Sequence, residues 1–394
     1  MDTARQFLGT VPAPMSSPFL TLIREQAANA DSARTVDPAV IRAIKASDLI
    51  RATAVRSIGG VEASILDVAS EMEAVAVACG STAWCLWNHL CVFHLYCAQL
   101  GPDANEFLAG IVERREWVTF PNGAGTAMRG LPSGDDVLLS GKTTFGSGAR
   151  YGDWASTIFA QTVEGEERPQ LRFTVAPLAH AGVSIDPDWR SMSVRASATD
   201  TVAWSDVTVP AERTRLWRFD HTNLIRNPEM PVIAHRYRED WVGLAVLWLA
   251  AQGVGITQAA LEDATVQASQ RRAIFNVKMA DRPGVQFNLA HAAANIAAAR
   301  ATYQQGCRET DERIESGVIP DEPAYLRQLG LAMVALRLCS EAMERILHVL
   351  GGNGLREEGS FERRYRDFQA MPIHITVHPD RVAELCGKFL LGVS

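Results

Sequence analysis

The hydrophobic pattern of this chain changes period twice, and that change limits the folds open to it. Up to about residue 115 the apolar positions recur at helical spacing. They do so in Pro18 to Asn29, in Val40, Ile41, Ile44 and Leu49, and in Ile65 to Ala78, where Leu66, Ala69, Met72, Ala74 and Val77 form a stripe. Asp37-Pro38 reads as an N-cap followed by proline at the first helical position. Gly80-Ser81-Thr82 caps a further helix, Ala83 to Leu100, which is apolar on nearly every side and therefore buried or lining a pocket. From Trp117 the period falls to two. Val137 to Ser140, Ser156 to Val163, Leu171 to Ala176, Val183 to Ile185 and Thr201 to Val209 alternate with turn clusters, as in a small barrel or sandwich. After Pro210 the helical period returns in Trp241 to Ala268, Gly284 to Cys307 and Tyr325 to Leu350, three comparable stripes that suggest an antiparallel bundle. The expected class is α+β. The expected units are a helical domain at 1–115, a β-domain at 116–215 and a helical bundle at 216–394.

Charge and cysteine usage exclude several functions. A net charge of -7 without a basic block argues against nucleic acid and anionic membranes as partners. The seven cysteines contain no Cys-x-x-Cys pair. Cys79, Cys85, Cys91 and Cys97 recur every six residues, which is neither a zinc spacing nor a disulfide framework, so reduced thiols and no metal are expected. The N-terminus lacks the apolar core of a signal peptide, and the most apolar run, Trp241 to Ile256, falls short of the roughly 20 residues of a membrane helix. A cytoplasmic location is expected.

The motifs point further. Gly351-Gly352-Asn353-Gly354 ends the last long stripe, and Glu362-Arg363-Arg364-Tyr365-Arg366-Asp367 follows. Together they resemble the C-terminal signature of the acyl-CoA dehydrogenase superfamily, and the order of helices, β-domain and bundle is similar along essentially the whole chain. The resemblance implies an N-terminal α-helical domain, a central β-barrel and a C-terminal antiparallel four-helix bundle, with Gly351 and Gly352 beside a flavin. Phe145-Gly146-Ser147-Gly148 is similar to the barrel segment of oxygen-using members, where an aromatic ring (Phe145) and a hydroxyl (Ser147) lie against the flavin. A hydroxyl or backbone N–H there holds the ring and stabilises charge on it. The loop from Thr119 to Thr126, with Phe120 and Asn122, resembles the family's loop over flavin and substrate. Ser193 to Asp200, with Arg195, resembles its Gly-x-Arg-Gly-Thr-x-Ser segment with alanine in place of glycine. Arg272-Ala273-Ile274-Phe275, followed by Gln286, resembles an element that reaches a flavin pyrophosphate and adenine across a subunit interface. A guanidinium suits that role because it bonds two phosphate oxygens at once. The cofactor so implied is reduced FAD, or FMN, and the assembly a homotetramer built as a dimer of dimers.

The tail decides the chemistry. A dehydrogenase needs a desolvated carboxylate base. Near the family's position stand Ile373, His374, Ile375 and Thr376, and the helix from Gly243 to Gly253 has no glutamate. A neutral imidazole titrating near pH 6.5 handles protons of another kind of substrate. Superfamily members classed as two-component flavin monooxygenases carry a histidine in this tail. The resemblance therefore implies oxygen transfer from dioxygen, through a flavin C4a-hydroperoxide, to an aromatic or flat apolar small molecule. No Gly-x-Gly-x-x-Gly follows a strand, so a separate flavin reductase would supply the reduced flavin. Many such members also have a histidine in the aromatic helix; His94 is the candidate here and His89 the reserve, with Trp84, Trp87 and Phe93 as substrate contacts. Two alternatives stay open. One is an acyl-CoA dehydrogenase or oxidase with a displaced base (Glu239, Asp240 or Glu358). The other is a flavin-free scaffold, favoured by the alanines around Arg195.

Overall fold

A computed structural model describes residues 3–123, 127–134, 136–162, 169–217, 231–273 and 276–393. Six helices come first: α1 Thr3–Leu8, α2 Leu20–Ala33, α3 Pro38–Ala46, α4 Ile65–Ala78, α5 Gly80–Leu100 and α6 Asn105–Glu113. Asp37 caps α3 by accepting from the Ala39 N–H at 2.7 Å, with Pro38 where its missing N–H is harmless. Ser64 caps α4 by accepting from the Asp67 N–H at 3.0 Å. Only the extended Cys79 separates α4 from α5. Every residue of α5 is buried except Asn88.

Eight strands follow: β1 Val118–Thr119, β2 Ala127–Ser133, β3 Asp136–Gly146, β4 Trp154–Gln161, β5 Gln170–Pro177, β6 Val183–Asp186, β7 Asp200–Pro210 and β8 Arg215–Leu216. They form one mixed sheet in the order β6-β7-β3-β2-β4-β5-β8, with β1 parallel to β4. Alternate residues Val137 and Leu139 of β3 join Val202, Trp204, Val207 and Val209 of β7 and Phe159 of β4 in a small core. The β3–β7 register slips between Thr143 and Gly146, and the irregularity re-aims the end of β3 away from the ladder.

The chain ends in α7 Trp241–Gln270, α8 Pro283–Ser316, α9 Glu322–Leu350, α10 Ser360–Gln369 and α11 Pro379–Leu391. Helix α7 runs two residues beyond the expected stripe, Trp241 to Ala268. It is long and apolar enough to cross a membrane, but its apolar stretch is entirely buried among the other helices. A Cβ on Gly255 would lie 2.3 Å from the Glu73 carbonyl oxygen, so α4 and α7 approach almost backbone to backbone. Helix α4 also touches α8, and one apolar core runs through the N-terminal helices and the bundle. Inside it, Glu73 is paired with Arg300 at 2.7 Å and accepts from the Tyr303 hydroxyl at 2.5 Å. These partners satisfy a carboxylate that would otherwise be too costly to bury.

Candidate active site

Three parts of the chain meet at one point: the N-terminal half of α5, the turn after β3, and the segment between α10 and α11. Gly148, with φ +76°, closes the turn after β3, where a Cβ would crowd the Trp117 indole nitrogen at 3.0 Å. The turn presents Ser147, buried and held from several sides. Its Oγ accepts from Trp84 Nε1 at 2.9 Å and lies 3.0 Å from Thr199 Oγ1, which in turn meets Ser197 Oγ at 2.6 Å. The Ser147 carbonyl accepts from Thr119 Oγ1 at 2.8 Å. The Trp84 ring then leads to His374, their centroids 5.6 Å apart. Trp87, anchored by its indole N–H on the Ala245 carbonyl at 2.8 Å, meets the imidazole edge-on at 5.2 Å.

His374 lies in a turn beyond α10 and keeps partial exposure. Its Nδ1 is 2.8 Å from Thr376 Oγ1, and among the described residues Nε2 has no protein partner. Loss of water around the ring lowers its pKa to about 4, so the imidazole is neutral near pH 7.

The structure brings Ser147, Trp84, Trp87 and His374 together, but not the other residues expected from α5. His94 is ten positions beyond Trp84, about 15 Å along the axis and facing another way. It binds the Glu239 carbonyl through Nε2 at 3.0 Å and packs its ring 5.0 Å from Tyr237, apart from His374. His89, the reserve, has both nitrogens on backbone, at Ile50 O (2.6 Å) and the Val118 N–H (3.0 Å). Phe93 lies nine positions, or half a turn, from Trp84. It lies beside His89, Ile50 and Val112, on another side of α5 from Trp84 and Trp87. Residues not singled out from sequence replace them: Asn88, Thr119, Thr199 and Ser197. Thr119, Ser197 and Thr199 fall in the two loop segments that resemble the family's, and Asn88 is one of two amides, with Gln99, in a largely apolar helix.

Of the residues expected to hold flavin, Phe145 ends β3 with φ +59° and a ring 55% exposed, 6.0 Å from Trp189. A bulky residue in this left-handed conformation is strained, and such strain clusters at functional sites. Asn122 is exposed beside it. Phe120 is buried instead, in an aromatic cluster with Phe173, Trp217 and Trp241 at 5.9–6.2 Å. Arg195 lies 3.6 Å from Asp31, and its buried Nε has no partner among the described residues. In this loop Val194 and Ala198 adopt left-handed φ of +41° and +47°. This loop is clamped by the last residue of the arginine-rich signature: Asp367 accepts from the Val194 N–H at 2.7 Å, and burial raises its carboxyl to about 7. An exposed aromatic face, a fixed hydroxyl and an unsatisfied guanidinium nitrogen fit a flat group with an anionic tail, as a flavin is.

A second set lies elsewhere. Arg272 and Gln286 are exposed, and among the described residues their side chains bond nearby carbonyls, of Asn276 and Ala280. Arg271 donates to the Leu350 carbonyl at 3.3 Å, which joins this loop to the exposed Gly351-Gly352 turn, where Gly351 has φ +58°. Phe275 lies outside the described residues. From Ala245, where Trp87 docks, to Gln270 is 25 residues of α7, or about 38 Å. The carboxylates that could act as displaced bases are occupied away from His374. Glu239 takes two bonds from Arg313, both at 3.0 Å, Asp240 caps α7 at the Val242 N–H, and Glu358 is a surface partner of Arg356.

Residues 247–379 match the family described as acyl-CoA dehydrogenase, C-terminal domain. The chain is 26% identical to a probable acyl-CoA dehydrogenase, YngJ, of Bacillus subtilis, over 80% of each chain. It is 25% identical to the oxygenase component of the FADH(2)-dependent resorcinol hydroxylase of a Rhizobium species, over 95% of this chain and 92% of that one. Among solved structures, XiaF from a Streptomyces species, in complex with FADH2 and glycerol, superposes with a TM-score of 0.85 at 19% identity, covering all of this chain and 96% of the other. The fold is acyl-CoA dehydrogenase-like.

Proposed function

We propose that this chain, which has the acyl-CoA dehydrogenase-like fold and carries that family's C-terminal domain, is the oxygenase component of a reduced-flavin-dependent monooxygenase acting on aromatic small molecules. One observation carries the reading. A neutral imidazole, His374, stands edge-on against the Trp84 and Trp87 indoles, and Trp84 donates to Ser147, while Glu239, Asp240 and Glu358 are engaged elsewhere.

Bound reduced flavin, FAD or FMN, would supply the activation of dioxygen. The protein's own groups do the rest. The Ser147 hydroxyl and the Phe145 ring hold and orient the flat group, and Trp84 and Trp87 keep water from the reacting face. His374 Nδ1 accepts from the Thr376 backbone N–H at 3.4 Å and lies 2.8 Å from Thr376 Oγ1, so the neutral ring carries its proton on Nε2 and donates from there to an oxygen of substrate or flavin. Arg272, just past α7, and Gln286, on α8, are separated from the docking point of Trp87 by about 38 Å of helix, away from a flavin held at Ser147. A second copy would bring them to it, which supports a dimer of dimers. Supply by a separate reductase and a cytoplasmic location belong to the same reading.

The test is to mix the protein with photoreduced FAD or FMN, air and a panel of phenols and indoles, and to follow both product and hydrogen peroxide. His374→Ala should bind flavin normally and lose product by about 10²-fold or more. Ser147→Ala should release more peroxide per flavin consumed. Bleaching of bound oxidised flavin by an acyl-CoA, or no flavin binding at all, would overturn the proposal.

A further inference from the structure

The Ser147 hydroxyl ends a buried chain of three hydroxyls. Its Oγ lies 3.0 Å from Thr199 Oγ1, which lies 2.6 Å from Ser197 Oγ. Ser197 and Thr199 stand two positions apart, and Ala198 between them has φ +47°, a left-handed conformation that side chains with a Cβ seldom adopt. The loop is locked onto the serine turn. The Gly148 N–H donates to the Ser197 carbonyl at 2.9 Å, and the Cys85 thiol donates to the same oxygen at 3.2 Å. Strain held in place by such contacts is a mark of functional sites.

One proton per hydroxyl sets the direction of the chain. Ser197 is fully buried, and among the described residues Thr199 Oγ1 is the one group its hydroxyl can reach. Ser197 therefore donates to Thr199. Thr199 has two neighbouring oxygens, and a proton already lies between it and Ser197, so it donates to Ser147. Trp84 Nε1, which can only donate, gives Ser147 Oγ a second bond at 2.9 Å. Both lone pairs of that oxygen are then filled, and its own proton has no acceptor among the described residues. The reverse direction would strand the Ser197 proton in the interior, where an unpaired donor is costly. Ser147 keeps 5% exposure and Ser197 none, so Ser147 is the end that a ligand can meet.

We propose that Thr199 and Ser197 are positioning residues that make Ser147 an obligatory hydrogen-bond donor, so that the group it holds must present a lone pair there. The inference rests on the monooxygenase reading above and refines the part of Ser147 in it. A flavin ring offers lone pairs at its carbonyl oxygens and, when oxidised, at unprotonated ring nitrogens. An N–H placed against Ser147 would meet a proton with a proton. Donation from Thr199 also polarises the Ser147 O–H and strengthens the bond it gives.

Oxidised FMN and FAD are the probes, with affinity read by titration of the full chain and the visible absorption band read in the complex. Ser147→Ala should weaken the flavin by about 10-fold and shift the band. Thr199→Val keeps the shape and removes the donor. It should weaken the flavin by about 3-fold and move the band part of the way in the same direction. Thr199→Ser, which restores the hydroxyl, should return both toward the parent. Ser197→Ala/Thr199→Val leaves no stranded proton and should bind flavin as Thr199→Val does. If Thr199 were instead the acceptor, Thr199→Val would free the Ser147 proton and tighten the flavin. A gain or no change in Thr199→Val, with a loss in Ser147→Ala, would overturn the relay and leave the flavin reading standing. Unchanged affinity and band in Ser147→Ala would overturn both.

Discussion

The stability of the parent chain and of His374→Gln should diverge as the pH falls below 6.5. The rings of Trp84 and Trp87, with centroids 5.6 and 5.2 Å from the imidazole, strip water from His374 and lower its pKa from 6.5 to about 4. A group whose folded pKa is depressed contributes stability that is present above its unfolded pKa and lost as the pH falls through the folded one. In that window only the unfolded chain takes up the proton. For His374 the window runs from 6.5 down to about 4. At about 1.4 kcal/mol per unit, the loss totals about 3 kcal/mol. With an unfolding entropy of about 2.1 cal/mol/K per residue, a chain of 394 residues has about 0.8 kcal/mol/K, so the loss corresponds to about 4 °C in Tm. Asp367 works in the opposite direction. Its carboxyl is raised to about 7, so its contribution is present below the usual carboxylate range and lost as the pH rises through 7. Both proteins contain Asp367, and the difference between them isolates His374. Thermal melts of the two at fixed protein concentration, in steps from pH 7.5 to 4.5, should show the glutamine variant gaining on the parent by about 3 °C below pH 6.5. A constant offset across that range would mean that the imidazole is hydrated and that its packing between the indoles is wrong.

Two further expectations concern the framework. Ser147→Ala leaves the Trp84 N–H buried without its partner, at about 1–3 kcal/mol, whereas Trp84→Phe leaves Ser147 still bonded to Thr199. The double variant should be less destabilised than the sum of the two by about 1 kcal/mol, and a strictly additive cycle in chemical denaturation would refute the bond. Gly255→Ala places a methyl 2.3 Å from the Glu73 carbonyl oxygen and should force α4 off α7, at about 3 kcal/mol despite alanine's better helix propensity. Gly284→Ala, where nothing lies within 4 Å, is the control and should melt like the parent.

Much of this protein was legible in its residues because the relevant physics is local. The switch from period 3.6 to period 2 and back is a property of neighbours in the chain, and helices and strands appear in that order. Which residue types stand in the tail and in the Phe145 to Gly148 turn is likewise read directly, and His374 in place of a carboxylate already turned the chemistry away from dehydrogenation. Sequence could not say which side of α5 meets that histidine. A helix apolar all round has no preferred face, so Trp84, Trp87, Phe93 and His94 were equivalent candidates. Tertiary packing separated them. Trp84 found the Ser147 hydroxyl 63 positions on, and His94 a carbonyl 145 positions on. The depressed pKa of His374 comes with burial against two indoles far away in sequence, and the length of α7 carries Arg272 about 38 Å along the helix from where Trp87 docks. Each of these depends on contacts between segments distant in the chain, which no local pattern of residues encodes.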